Sequence, residues 1–268
     1  MDKTLSSYCA PSGHAAISEL ISRLSSNRTD VRTVALMGLV LTSVRDVLDL
    51  GCGFGFMSGK IVEKVGPGTQ VIGVDACGEN EEMFLRTVET AGCRAEFYRM
   101  DLPDDLPWRN ESFDLIVASY SLYFFVGLLP EIARVLRRNG LFLTITHSEH
   151  SVFFSNLYKA VGWDWDRSHL FSLLRNFSAE NGTSTLQGYF EDVEKIRYEN
   201  SLFFDADHLD DLLRYVRFKL PLLVPDPDVA DNAPKVLQDH ISEWLSRGSV
   251  LVMDKNDAIF RCRLPKVR

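Results

Sequence analysis

The sequence predicts an α/β fold built on a doubly wound, mostly parallel sheet. Three observations carry this. Short apolar runs recur near positions 47, 71, 95, 114 and 142, each of strand length. Segments with helical spacing alternate with them, the rhythm of βα units. The first run ends in a glycine-rich turn that opens the next helix: Val47-Leu48-Asp49-Leu50-Gly51-Cys52-Gly53-Phe54-Gly55-Phe56.

The chain has 268 residues, of which 46% are hydrophobic, enough for a sizeable core. Its net charge of -8 argues against a broad phosphate-binding face, so no nucleic-acid partner is expected. The five cysteines are scattered without a Cys-x-x-Cys pair. That reads as reduced thiols and a cytoplasmic protein. The polar start, Met1-Asp2-Lys3-Thr4, reads as no signal peptide, and no apolar run is long enough to span a bilayer. Oligomeric state is not legible.

In chain order, residues 1–11 read as an irregular arm. Helices follow from Ser12 or Gly13 to about Ser26 and from Thr29 or Asp30 through Val40. Val47–Leu50 is a strand buried on both faces. The helix after the turn spans Phe56–Val65, and Gly66-Pro67-Gly68 is a turn. Gln70–Asp75, Arg94–Met100, Phe113–Tyr120 and Leu141–His147 are the next strands. A helix over Glu79–Ala91 has acids in its first turn, as the dipole prefers. Another begins near Leu128 and closes on Arg137, Arg138 and Gly140. Beyond His150 the rhythm changes to an aromatic-rich stretch, 151–177. Helices are expected at Ser178–Tyr189, Leu209–Val216 and Lys235–Ser246, strands at Val193–Tyr198 and Ala258–Leu264, and a proline-broken loop at Pro221–Pro234.

The glycine turn decides the ligand class. A dinucleotide-binding turn needs Gly-x-Gly-x-x-Gly. Counting from Gly51 puts Phe56 at the third glycine, and counting from Gly53 puts Ser58 there. The pattern is instead Asp-x-Gly-x-Gly-x-Gly, with Asp49 on the strand end. A carboxylate there can accept a hydrogen bond from a ligand ammonium, where a pyrophosphate would gain nothing. Asp75 ends the second strand 20 residues past Gly55, about the ~20-residue offset at which nucleotide folds place an acid for ribose hydroxyls.

These residues resemble motif I and its partner acid in the class I S-adenosylmethionine (SAM) methyltransferases, near the ubiquinone-type group of small-molecule enzymes. Asp101-Leu102-Pro103 through Glu111-Ser112-Phe113-Asp114 is similar to that family's passage after the third strand, with Trp108 for the usual Phe. Leu129–Leu136 again matches. The resemblance is specific over roughly 44–147 and looser beyond. Cys77, where many members carry Ser, and the acidic Glu79-Asn80-Glu81-Glu82 leave the sub-family open.

The resemblance implies a Rossmann-like, seven-stranded sheet closed by an antiparallel pair, with SAM as cofactor. One structural domain is expected in four parts. They are an N-terminal helical lid (1–43), a SAM-binding core (44–150), a substrate-side insertion (151–190) and a C-terminal part completing the sheet (191–268). Tyr8 and His14 stand as lid residues or as ordinary surface groups. The cofactor residues are Asp49, Gly51, Cys52, Gly53, Gly55, Asp75, Ala76, Asp101, Leu102 and Ser119. In that assignment Asp101 accepts from the adenine amino group, and the Leu102 N–H faces a ring nitrogen.

For chemistry, His147 ends the fifth strand on the ligand edge, where a base would take a proton from an acceptor. Tyr120 would orient that acceptor. His147-x-Glu149-His150 lacks the His-x-x-x-His spacing of zinc helices, so no metal is expected. Trp163-Asp164-Trp165 either lines an acceptor pocket or packs a core of its own. The leading function is methyl transfer to a small-molecule acceptor. Cyclisation or cleavage of SAM, and non-catalytic SAM binding, stand as alternatives, because the motifs describe cofactor binding alone.

Overall fold

The computed structural model describes residues 8–102, 105–224, 232–248 and 250–266. In chain order the elements are α1 (Pro11–Leu24), α2 (Val31–Leu36), β1 (Asp46–Leu50), α3 (Phe56–Val62), β2 (Gln70–Asp75) and α4 (Glu81–Glu89). Then come β3 (Arg94–Arg99), β4 (Phe113–Ser119), α5 (Leu129–Val135), β5 (Leu136–His147), α6 (Val152–Ala160), α7 (His169–Asn176) and α8 (Gly182–Gln187). The chain closes with β6 (Phe190–Tyr198), β7 (Ser201–Phe204), α9 (Leu209–Leu223), α10 (Ala233–Ser246), β8 (Leu251–Asp254) and β9 (Asp257–Pro265). The described residues form two compact units, one drawn from within 1–28, 148–175 and 199–256, the other from within 29–147, 176–198 and 257–268.

The second unit holds the seven-stranded sheet, in the order β3-β2-β1-β4-β5-β9-β6. β1 to β5 pair in parallel, and β9 runs antiparallel to both β5 and β6. The expected mostly parallel sheet and its antiparallel closure are both present. Val47, Leu48, Leu50, Val71, Val74, Leu115, Ile116, Val117, Phe142, Leu143 and Ile145 make its buried core. Continuous apolar strands of this kind need cover on both faces.

α2 is short, and side chains fix both its ends. Asp30 caps its start by accepting from Arg32 N. At its end Arg261 of β9 donates to the carbonyls of Val34, Ala35 and Met37 and pairs with Glu194. Orphan carbonyls at a helix end thus gain a buried cation.

The expected helix end at Arg137–Gly140 is corrected. α5 stops at Val135, and β5 already begins at Leu136. Arg137 pairs with Asp46 and Asp114, at the starts of β1 and β4, at 2.8 and 2.7 Å. A Cβ at Gly140 would meet the Asp114 carbonyl at 3.0 Å. Arg137 and the glycine anchor an irregular strand start, not a helix C-terminus.

Arg134 and Glu131 of α5 pair with each other and hold the loop before β4. Arg134 donates to the Leu106 and Trp108 carbonyls, and Glu131 accepts from Leu106 N. Trp108 packs edge-on against Tyr98 and Phe113. Pro103 and Asp104, part of the passage read from the sequence, lie outside the described residues.

The first unit contains α1, α6, α9, α10, most of α7 and a small antiparallel sheet of β7 and β8, which the sequence reading lacked. Asn200 ties it together, donating to Ser25 and accepting from Ser26 and Asn27 N. His14 stacks on Phe218 of α9, Tyr8 meets the same ring edge-on, and Lys219 donates to the Tyr8 hydroxyl. The aromatic stretch packs on itself: Trp165 stacks on Phe154 and meets Tyr158 and Phe171 edge-on. α9 continues through Pro221 to Leu223, giving up the ladder hydrogen bond that the proline N–H would have made. Residues 225–231 of the expected loop lie outside the described residues. Among the described residues, no helix is long and apolar enough to cross a membrane.

Candidate active site

The site is built at the carboxyl edge of β1, β2, β4 and β5, where open α/β sheets bind ligands. Asp49 is only 1% exposed. Its Oδ2 accepts from the Ser58 hydroxyl of α3 at 2.7 Å, while Oδ1 has no hydrogen-bond partner among the described residues. Burial pushes its carboxyl up to about 7, against the opposing Ser58 hydrogen bond. A buried acid with an orphaned oxygen is a costly arrangement for folding alone.

The turn glycines have different jobs. Gly51 has φ +70°, and a Cβ on it would lie 2.5 Å from the Ser121 Cβ. Ser121 crosses there because its hydroxyl donates to the Leu50 carbonyl at 2.6 Å. Gly55 caps α3 with φ +92° against Phe84. Gly53 has φ +51°, and nothing lies within 4 Å of where its Cβ would be. Gly53 is therefore the glycine with open space beside it.

Asp75 is drawn into the same turn. Its Oδ2 accepts from Gly53 N and its Oδ1 from Cys77 N, both at 2.8 Å. Burial raises its carboxyl, and those two N–H groups hold it back. Cys52 is buried behind the turn, with its N–H on the Val74 carbonyl. It, Cys93 and Cys262 are free thiols, but Cys9 and Cys77 are disulfide-bonded, which corrects the reading of all five cysteines as reduced thiols. Ala76 and Ser119 are half-buried at the ends of β2 and β4. Asp101 is exposed and Leu102 half-buried beyond β3, two strands from β1 in the sheet order.

At the β4 and β5 ends the structure joins Tyr120 and His147 through Asp257. Tyr120 is held at φ +58°, uncommon for a bulky residue. Its ring lies 4.5 Å from that of His147. Its hydroxyl donates to Asp257 Oδ2 at 2.7 Å, and His147 Nδ1 lies 2.6 Å from Asp257 Oδ1. Burial and the neighbouring Asp257 carboxylate push the Tyr120 phenol well above its ordinary value. Tyr120 is thus a donor directed at Asp257.

Two residues of this edge were missed in the sequence. Asp257 begins β9, in register with His147; its only sequence signal is an acid at the mouth of the last strand. Arg32 of α2 lies over the Phe56 ring at 4.5 Å and pairs with Asp30 at 3.0 Å. Its Nε is buried without a hydrogen-bond partner among the described residues. Its charge reaches Asp49 and favours the ionised carboxylate. No local pattern announced it.

Residues 47–140 match a family described as a methyltransferase domain. The chain is 30% identical over 115 residues to the ribosomal protein L11 methyltransferase of Dictyoglomus turgidum, covering 43% of this chain and 37% of that protein. It is 31% identical over 104 residues to the uncharacterized methyltransferase YcgJ of Bacillus subtilis, covering 38% and 40%. The chain thus spans well under half the length of these two relatives. A demethylmenaquinone methyltransferase of Lactobacillus johnsonii is 24% identical over 64% of this chain and 67% of its own. The crystal structure of YcgJ superposes with a TM-score of 0.51 at 17% identity, over 93% of this chain and 98% of that one. At that identity the superposition bears on the fold alone.

Proposed function

The chain carries a class I SAM-dependent methyltransferase domain over residues 47–140, and from that premise we propose that the protein transfers a methyl group from SAM to a small-molecule acceptor. The observation that carries the reading is two buried, unsatisfied atoms of opposite charge, Asp49 Oδ1 before the glycine turn and Arg32 Nε of α2, whose guanidinium lies over Phe56 just after it. An α-amino acid carries the complementary pair of charges. Its ammonium donates to Asp49, and its carboxylate accepts from Arg32. This is the chemistry of the methionine half of SAM, and the open space at Gly53 lets a ligand approach the backbone. Asp75 takes the ribose hydroxyls, and Asp101 and Leu102 read the adenine edge. Cys52, Gly51, Gly55, Ala76 and Ser119 shape the walls.

When bound, SAM supplies a methyl group already activated on a sulfonium. The protein's task is alignment and exclusion of water, with alignment contributing up to ~7–11 kcal/mol in ideal cases. His147 takes a proton from the acceptor. The small-molecule class is supported by the acidic balance and by the demethylmenaquinone relative's share of the chain. The L11 relative, named for a protein substrate, makes a protein acceptor the competing outcome.

The test uses SAM labelled in its methyl group, a cell extract and the purified protein. The reading expects label in the low-molecular-weight fraction. Label confined to protein would overturn the acceptor class. A new SAM-derived product without any extract would move the protein to cyclisation or cleavage.

Two variants test the cofactor assignment. Arg32→Ala should weaken S-adenosylhomocysteine by about ten- to a hundred-fold, the worth of a charged hydrogen bond of ~1.5–3 kcal/mol. Methylthioadenosine, which lacks the amino-acid group, should bind both proteins alike; equal losses for the two ligands would remove Arg32 from the carboxylate site. Asp75→Ala should weaken both ligands more than tenfold and lower the melting temperature, since the turn N–H groups of Gly53 and Cys77 lose their acceptor. Unchanged affinity by calorimetry would end the ribose assignment.

A further inference from the structure

The Asp257 carboxylate is the junction of the β4, β5 and β9 edge, and its side chain is 1% exposed. Each of its oxygens has its own donor partner: Oδ1 faces His147 Nδ1 and Oδ2 accepts from the Tyr120 hydroxyl. A carboxylate has no proton to give, so at this contact the proton sits on His147 Nδ1. The neutral imidazole then carries its lone pair on Nε2. Tyr120 locks the arrangement, because its bond to Oδ2 stops the carboxylate from rotating about its own axis. Tyr120 is in turn fixed by its N–H on the Ile145 carbonyl at 2.8 Å and by its left-handed backbone. Strain of this sort concentrates at functional sites. An ordinary strand-end histidine needs neither a buried acid nor a strained tyrosine behind it.

We infer that Asp257 is a positioning residue: it fixes His147 in the tautomer whose Nε2 accepts a proton, with Tyr120 as its lock. The acceptor is then one that loses a proton as it is methylated, an enol, phenol or carbon acid. This rests on the methyl-transfer reading above. His147 Nε2 takes the acceptor's proton. The acceptor's electron pair forms the bond to the methyl carbon as the methyl–sulfur bond breaks, its pair staying on sulfur. Asp257 balances the imidazolium that results, the division of labour of a base and its orienting acid. Tyr120 acts through Asp257 and is not itself a base.

The test reads the tautomer directly and needs no acceptor. ¹⁵N-histidine protein is examined by NMR at a fixed, mildly alkaline pH, with a His147→Gln sample identifying the resonances among the six histidines. Wild type should show Nδ1 protonated and Nε2 with the shift of an unprotonated ring nitrogen. In Asp257→Asn the Tyr120 hydroxyl claims the amide oxygen, and the amide NH2 faces His147, so the tautomer should invert. Adding Tyr120→Phe frees the amide to rotate, and the wild-type tautomer should return. A wild-type ring protonated mainly on Nε2 overturns the inference, and so does an Asp257→Asn protein with an unchanged tautomer. Should Asp257→Asn not fold, the wild-type spectrum and that of Tyr120→Phe, which should keep the wild-type tautomer, still decide. S-adenosylhomocysteine binding, measured in the same samples, should not change in Asp257→Asn. Its absence in wild type would defeat the methyl-transfer reading whatever the tautomer.

Discussion

Gly53→Val is expected to give a folded protein that no longer binds SAM. Gly53 sits at φ +51°, and among the described residues nothing beyond its chain neighbours lies within 4 Å of the place a Cβ would take. A valine there meets only backbone strain, about 1–3 kcal/mol, which should lower the melting temperature by several degrees without unfolding the domain. Its side chain occupies the space a ligand needs beside the turn. Gly51→Val is the control. Its Cβ would lie 2.5 Å from the Ser121 Cβ, so folding itself should suffer and the melting temperature should fall much further. The measurement is a thermal melt beside a calorimetric titration with S-adenosylhomocysteine. A folded Gly53→Val protein with wild-type affinity would falsify the placement of the ligand at this turn.

Asp49→Asn is expected to weaken SAM by about ten- to a hundred-fold, the loss of one charge-assisted hydrogen bond, while stabilising the ligand-free protein. The sign follows from the raised carboxyl, pushed up to about 7 by burial. The folded state holds that proton more tightly than the unfolded chain, whose Asp titrates near ~3.9. Stability from the neutral acid is full below the unfolded value and is lost as pH climbs to about 7. At pH 8 the wild type therefore carries a buried charge that Asn lacks, and the Asn variant should melt several degrees higher. The same titration shapes binding. Affinity for S-adenosylhomocysteine should rise as Asp49 ionises through about 7. It should fall again once the ligand's α-ammonium, near ~8 for such groups, loses its proton. A pH-independent affinity in wild type would remove Asp49 from the ammonium site.

A third substitution addresses the chemistry. His147→Ala should leave S-adenosylhomocysteine affinity nearly unchanged and lower turnover by ~10²–10⁴-fold, the range of a positioned base. A structural histidine would instead lower the melting temperature and leave turnover per folded molecule intact.

Legibility in the sequence followed the range of the forces involved. β1, β2 and β4 were readable because a strand buried on both faces is an unbroken apolar run. The glycine turn, Asp49 and Asp75 were readable because their spacing is local. β5 was begun too late, since Arg137 is extended only by virtue of Asp46 and Asp114, 91 and 23 residues earlier. β7 and β8 were unreadable, because each is four residues long and becomes a strand only by distant pairing: Ser201 meets Asp254, 53 positions on. Asp257 meets His147 across 110 residues and Tyr120 across 137. Only strand register brings them together. Trp163 and Trp165 left two readings open in sequence; both are half-buried and meet Tyr158 edge-on.

The central claim is that the glycine turn holds an amino-acid group, ammonium on Asp49 and carboxylate on Arg32. It is tested most directly by titrating the wild-type protein in a calorimeter, at neutral pH, with S-adenosylhomocysteine and with methylthioadenosine. The account predicts saturable one-to-one binding of the first and at least a hundredfold weaker binding of the second, since only the first satisfies both buried charges. Equal affinities, or no saturable binding of S-adenosylhomocysteine, would contradict it.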